Sequence, residues 1–489
     1  MLRKLTFFLS LPFLFFFVAQ PFVVATKTSN LPAVATKNGI LQDFNAILRR
    51  RGHVKKIAQA KLSMTSVVAE RGKLGGEASV SSSIFNLAKS VVGIGVLSLP
   101  GGAAFVSDSP ATLFPACMIG LIMGLLAGYC FSAIGKACEM HQSKSFQDVW
   151  AKSVNPQTAW MISAGITAKC LMASLACSII IGDTFTALAQ TFGFSSFFQN
   201  RRNIIILLTS TILFPLCSME SLSALAPFSI LGLGGIFYTA LFMTVRYIQG
   251  SYSTTGKYFA DVVMKPSFNQ VPLNLNNRVF VLLSMLSTSF IAHYNAPKFY
   301  SELKNPDTDK FNSVVSAGFG LSILFNLYIM CIGFLTFGGN SLGLVLNNYS
   351  GQDMLATYAR VAIGAAILTG YPFTFSALRE GILDLMNFEG ETRKKSVKPL
   401  TVGLLTIVTV LALLLKDVGF VVSLSGSLFG CSLMFIVPAI MTIQNSKKMK
   451  GTSHDVNKFE ISMNYGIIAL GVVLTIIGTG ITINRQLRG

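Results

Sequence analysis

Ser83-Ile-Phe-Asn-Leu-Ala-Lys-Ser-Val-Val-Gly-Ile-Gly-Val-Leu-Ser-Leu-Pro-Gly-Gly-Ala-Ala-Phe105 is the stretch on which the reading of this chain turns. The run is apolar and long enough to cross a bilayer, which takes about 20 residues. It nevertheless carries Asn86 and Lys89, and its middle is Gly93-Ile94-Gly95. A Gly-x-Gly inside a spanning helix lets the backbone unwind. Unpaired amides and carbonyls at that depth are tolerated only where they are buried in protein or line a cavity. Asn86, Lys89, Ser90 and Gly93 follow three- and four-residue steps, which puts them on one helix face leading to the break. An intramembrane charge there marks a functional site by default; the alternative is a close helix crossing with a snorkelling lysine.

The composition around this stretch fits the same setting. With 52% hydrophobic and 12% charged residues, against about 25% charged in ordinary soluble proteins, the 489 residues are expected to form an all-α polytopic membrane protein. The net charge of +19 does not call for nucleic acid. Residues 1–80 hold twelve Lys or Arg against three acids, and the remaining excess sits in short loops between apolar runs, where it orients helices. All eight cysteines fall in or beside apolar segments without metal-type spacing, so they are read as packing residues. No phosphate loop or intramembrane His/Glu metal spacing is present, so neither an enzyme nor a cofactor is expected.

Three regions follow in order. Residues 1–25, with Met1-Leu-Arg-Lys, an apolar run and small residues before Thr26, have the parts of a secretory signal. Residues 26–79 form a basic arm whose composition resembles an organelle transit segment, the alternative being a disordered basic tail. Together they suggest a two-part presequence for a plastid or other organelle envelope; the endomembrane system or plasma membrane is the alternative. Residues 80–489 hold the membrane domain, with eleven candidate spans at about 83–105, 111–136, 158–190, 203–219, 223–248, 278–299, 312–337, 353–378, 399–416, 418–443 and 464–484. The loops carrying Lys144, Lys304, Lys310, Arg393 and Lys447 alternate with less basic ones, which assigns them to the cytoplasm-equivalent side.

A transporter built from inverted halves needs a second interrupted helix five spans after the first. The sixth span runs Leu286-Ser-Thr-Ser-Phe-Ile-Ala-His-Tyr-Asn-Ala-Pro297. Pro297 lacks an amide hydrogen and disfavours helix at Ala296, so the break is expected there, with His293 and Asn295 beside it.

These features, in this order, resemble the amino acid/auxin permease family. The first span is similar to its Phe-Asn-Leu…Gly-x-Gly-x-Leu-x-Leu-Pro signature, and Ile179-Ile180-Ile181-Gly182-Asp183 resembles the end of its third helix. Phe214-Pro215-Leu216-Cys217, the run from His293 to Pro306, Gly333 to Gly338, and Leu368-Thr369-Gly370-Tyr371-Pro372 resemble its later motifs.

The resemblance implies a LeuT-like fold of about eleven helices, two inverted five-helix repeats with helices one and six interrupted, and alternating access. It implies a substrate site at Asn86, Gly93, Ile94, Gly95, Ala292, His293 and Asn295. Free amides there would take the amino acid's carboxylate and free carbonyls its ammonium. Lys89 resembles the lysine of proton-coupled members, which stands where sodium-coupled members have Asn, with Thr369 opposite. The expected coupling ion is therefore H+, carried by His293, Asp183 or Lys89, because Asn86 occupies a position where proton-coupled relatives often have His. Asp183 as an interfacial charge and Thr369 bonded to its own helix remain the alternatives. Lys169 departs from the family pattern and has no assigned role. The implied activity is secondary active transport of small neutral amino acids across a lipid bilayer, proton-coupled or sodium-independent; an amino acid sensor of the same fold is the alternative.

Overall fold

The computed structural model describes residues 75–219, 228–262, 264–269, 277–448 and 458–488. The signal-like segment, most of the basic arm and the side chain of Ile94 lie outside the described residues. Among those described, regular structure is helical apart from two isolated bridges. Eight helices among the described residues are long and apolar enough to cross a membrane, or nine when one bent pair is counted as a single span.

That bent pair is the opening stretch. Helix α1 (Val80–Val91) starts at Ser79, whose side chain accepts from the Ser82 amide at 3.2 Å. It stops at Val92, and Gly93 is extended with φ −97° and ψ −171°. A 3-10 turn at Ile94–Ser98 then leads into α2 (Leu99–Val106), bent 42° from α1. Pro100 sits in the first turn of α2, where its missing amide would have had no helical partner anyway.

The chain continues through α3 (Leu113–His141), the short α4 (Phe146–Ser153) and α5 (Ala159–Thr191). Helix α6 (Arg201–Leu208) runs on through a π-helical turn to Cys217, and α7 covers Phe228–Ile248. The sixth expected span is interrupted, but five residues earlier than the proline suggests. Helix α8 (Val279–Phe290) ends at an extended Ile291 and a distorted Ala292; a 3-10 turn at His293–Asn295 then leads into α9 (Ala296–Glu302). Ala296 is helical, and Pro297 lies in the first turn of α9. Proline begins the second half-helix rather than ending the first, because a first-turn residue loses no hydrogen bond by lacking an amide. The remaining helices are α10 (Thr308–Phe337), α11 (Met354–Leu385), α12 (Gly390–Leu414), α13 (Val418–Ser425), α14 (Val437–Lys448) and α15 (Lys458–Arg488). Two π-helical turns join α13 to α14.

Glycines seat the helices on one another. Along α3, Gly120, Gly124 and Gly135 face α10 so closely that an added Cβ would lie 2.2–2.5 Å from Leu327, Ile323 and Phe311. Gly426, at the α13–α14 junction, is tighter still: a Cβ there would lie 1.7 Å from the Ser284 carbonyl of α8. Such close approach is how helices gain packing energy where lipid removes the hydrophobic drive between them. The most apolar window of Val418–Lys448 is wholly buried, so this span is a central post, whereas Phe114, Leu125 and Leu414 on other helices are exposed, as suits a lipid-facing surface.

Polar contacts tie each end of the bundle. At the basic end, His141 Nε2 lies 2.9 Å from Asn445 Oδ1, the Lys448 ammonium donates to the Lys152 carbonyl at 2.7 Å, and Arg393 pairs with Glu380 and Asp384. The residues before α1 join there too, the Ala78 amide donating to the Glu302 carbonyl at 2.9 Å. At the opposite end Asp353, fully buried at the start of α11, receives both Arg246 Nε at 2.8 Å and Arg246 Nη2 at 2.6 Å. The Tyr252 hydroxyl donates to the same carboxylate at 2.9 Å, and burial beside that charge pushes the Tyr252 phenol up. Breaking such a pair leaves a buried charge without its partner, which costs about 3–5 kcal/mol. Asp353→Asn is therefore expected to destabilise the detergent-solubilised protein by about 3–5 kcal/mol in thermal unfolding. The added loss from Arg246→Met in the Asp353→Asn background should be much smaller than from Arg246→Met alone, and equal losses would show that the two act independently.

Candidate functional site

The two interruptions meet. A Cβ built on Gly95 would rest 3.8 Å from Thr288 Cγ2 and 3.9 Å from Ser289 Cα, so the first break lies on the last turn of α8. Asn295, past the second break, points its side-chain amide at Ser90 Oγ of α1 from 3.5 Å, the limit of a hydrogen bond. Between them opens a cavity of about 460 Å³, within the usual 300–1,000 Å³ of small-molecule sites. Lys89, Gly93 and Gly95 from the first break line it, with Ile291 and Tyr294 from the second.

The breaks interrupt the backbone pairing of residues that border this space. The opening amides of a 3-10 turn have no partner within the turn, and the last carbonyls of a helix are similarly orphaned. A Cβ on Gly93 would meet nothing within 4 Å, so the space beside that glycine is open. Ser98 Oγ donates to the Gly95 carbonyl at 2.6 Å and Thr288 Oγ1 to the Val422 carbonyl at 2.6 Å, which hold the edges of the two breaks. Met172, Ala176 and Ile180 of α5, Ile363 and Ile367 of α11, and Val418 and Val422 of α13 supply an apolar wall.

Not every residue singled out from the sequence lies on this lining. Lys89, Gly93 and Gly95 do. Asn86 is exposed one turn away, Ile94 has no described side chain, and Ala292 is buried in the break without facing the space. His293 is fully buried on the far side of its turn: Nε2 lies 2.9 Å from the Ala127 carbonyl of α3, and the ring meets Phe131 and Phe319 edge-on. A 3-10 turn has about three residues per turn, so neighbouring side chains diverge by about 120°. Tyr294 accordingly faces the cavity while His293 faces α3.

Thr369 stops one residue short of the lining, its hydroxyl directed at the Ala365 and Ala366 carbonyls of its own helix at 2.9 and 3.2 Å. Asp183 lies elsewhere, about two turns before the end of α5. It accepts from Arg201 Nε at 2.6 Å and from Asn347 at 3.1 Å, while Arg201 Nη1 donates to the Ala412 carbonyl at 3.1 Å. That clamp joins α5, α6, α12 and the loop before α11.

Several lining residues had no role in the sequence reading. Lys169 reaches into the cavity from α5, donates to the Tyr294 hydroxyl at 3.0 Å and lies 4.8 Å from the centre of its ring. Thr288 and Ser289 come from the hydroxyl run Ser287-Thr288-Ser289, whose place just ahead of the break was the available signal. Ser289 also donates to buried Asn326 at 2.8 Å. Tyr371 belongs to the Thr-Gly-Tyr-Pro run, and its hydroxyl accepts from Ser178 at 3.3 Å. Among the described residues no cluster of three His, Cys, Asp or Glu could hold a metal.

Residues 76–484 match the family described as transmembrane amino acid transporter protein. A Danio rerio protein provisionally named sodium-coupled neutral amino acid transporter 11 is 25% identical over 83% of this chain and 86% of its own length. Sodium-coupled neutral amino acid transporter 7 of Bos taurus is 24% identical over 83% and 86%, and amino acid transporter AVT6E of Arabidopsis thaliana is 22% identical over 82% of each chain. These relatives are transporters and not enzymes. With its profile match, its apolar helices and its two broken spans facing one cavity, the chain belongs to the transmembrane amino acid transporter family, the amino acid/auxin permeases, and is a multi-pass membrane protein.

Proposed function

We propose that this protein is a secondary active transporter of small neutral amino acids, driven by protons or working independently of sodium, and built on two inverted five-helix repeats. The observation that carries the proposal is the meeting of two interrupted helices at a cavity bordered by Gly93, Gly95 and Ile291. Amides at the first break suit a carboxylate and the carbonyls ending α8 suit an ammonium. Every zwitterionic amino acid carries that pair of charges, and the apolar wall from α5, α11 and α13 receives its side chain. The names of the relatives, which specify neutral amino acids, support the substrate class.

Sodium independence is favoured by Lys89. A fixed ammonium on the cavity wall opposes a second cation nearby, and a transported sodium ion needs oxygens where this nitrogen sits. With His293 seated against the Ala127 carbonyl and Asp183 clamped by Arg201, Lys89 is the proposed coupling residue that faces the cavity. Residues 1–79 are proposed to direct the protein to an organelle envelope; a reporter fused to them that stays in the endoplasmic reticulum or plasma membrane would refute that address.

Proteoliposomes loaded with an imposed proton or sodium gradient and offered a panel of labelled amino acids test the transport reading. Uptake of neutral amino acids that follows the proton gradient, or that needs neither ion, is the expected result; dependence on sodium contradicts it, and binding without uptake favours the sensor. Lys89→Asn should abolish the response to the proton gradient or make uptake respond to sodium, in a protein that still purifies as a folded species. Gly93→Val should raise KM by about tenfold or more, the equivalent of ~1.4 kcal/mol, with little change in thermal stability, since the new side chain enters open space. An unchanged KM would place the substrate elsewhere.

A further inference from the structure

The cavity wall carries two ammonium groups, Lys89 and Lys169, and no Asp or Glu among its described lining residues. Lys169 is the more instructive. Its ammonium has three donors. One goes to the Tyr294 hydroxyl at 3.0 Å, while the Tyr294 ring offers its face at 4.8 Å from the ring centre. Among the described residues no carboxylate pairs with it. A cation held at membrane depth by a neutral phenol lacks a countercharge, and such an arrangement is costly unless it serves a ligand.

The surroundings of Lys169 suit one kind of ligand. Tyr294 belongs to the second break, so its contact with Lys169 ties the ammonium to that turn on the wall of the same cavity. Ala173 and Ala176, one and two turns further along α5, also line the space and leave room next to the lysine stem. We infer that Lys169, held by Tyr294, is a specificity-determining residue that admits amino acids bearing a carboxylate side chain, such as glutamate, alongside neutral ones. The inference rests on the transport reading above and extends its substrate class. A neutral amino acid brings as much positive as negative charge and leaves Lys169 uncompensated. An acidic one brings an additional carboxylate that can take the remaining donors of Lys169, and charge-assisted hydrogen bonds of this sort are among the strong ones.

The test uses the full-length protein in proteoliposomes, with labelled L-alanine and L-glutamate and with unlabelled L-glutamate or its neutral isostere L-glutamine as competitor. Wild-type protein is expected to take up glutamate, and glutamate is expected to compete with alanine more strongly than glutamine does. Lys169→Gln should lower the ratio of kcat/KM for glutamate over alanine by about tenfold or more, the scale of one hydrogen bond to a charged group, and Lys169→Arg should restore most of it. Alanine uptake that glutamate neither shares nor inhibits better than glutamine, or a ratio untouched by Lys169→Gln, overturns the inference while leaving amino acid transport in place. Should Lys169→Gln fail to assemble, the wild-type competition decides alone. Failure of the wild-type protein to move any amino acid is a different outcome, and it removes the transport reading itself.

Discussion

The interior of a bilayer offers no water to a backbone amide or carbonyl, so a chain that crosses it must pair those groups internally or turn them toward a protected space. Helices α5 and α10 obey without interruption through 30 residues or more. The chain gives up continuous pairing at Val92–Gly93 and again at Ile291–Ala292, and the bundle brings these two places together. A break left facing lipid would carry orphaned polar groups at a cost of several kcal/mol each. Here the two interruptions border one cavity inside the bundle instead.

Much of the remaining structure holds that arrangement in place. The span Val418–Lys448 is buried along its apolar length, and Gly426 lets it approach the α8 backbone more closely than any side chain would permit. Glycines on α3 admit α10 in the same manner. Polar clamps at the bundle ends, Asp183 with Arg201 and Asp353 with Arg246, join helices distant in sequence. Their acids are engaged in two or more hydrogen bonds each, which suits them to fixing geometry rather than to exchanging protons with a passing substrate.

How far the site could be read in advance depended on the physics behind each signal. Gly93 and Gly95 were legible because only a glycine pair in an apolar run makes sense as an unwound helix, and Lys89 because a charge there needs a reason. Pro297 misled by five residues: proline stops a helix only from its interior, and whether it occupies an interior or a first turn is settled by where the preceding helix ends. His293 drew attention as a titratable group beside a break, yet its neighbour Tyr294 faces the cavity. One residue of rotation in a 3-10 turn separates the two, and no composition or spacing rule measures that angle.

From sequence alone came the membrane setting, the helical class, the presence of two interrupted spans and the family signature, because these follow from apolar length, glycine placement and the order of motifs along one strand of text. Tertiary structure alone decided which side chains share the cavity. Lys169 and Tyr294, separated by 125 positions, meet within hydrogen-bond distance, while Asp183, fourteen residues beyond Lys169 on the same helix, is carried to the bundle's end. The reason is geometric: a helix advances about 1.5 Å and turns about 100° per residue, so function along it is set by depth and azimuth relative to partners that only packing supplies.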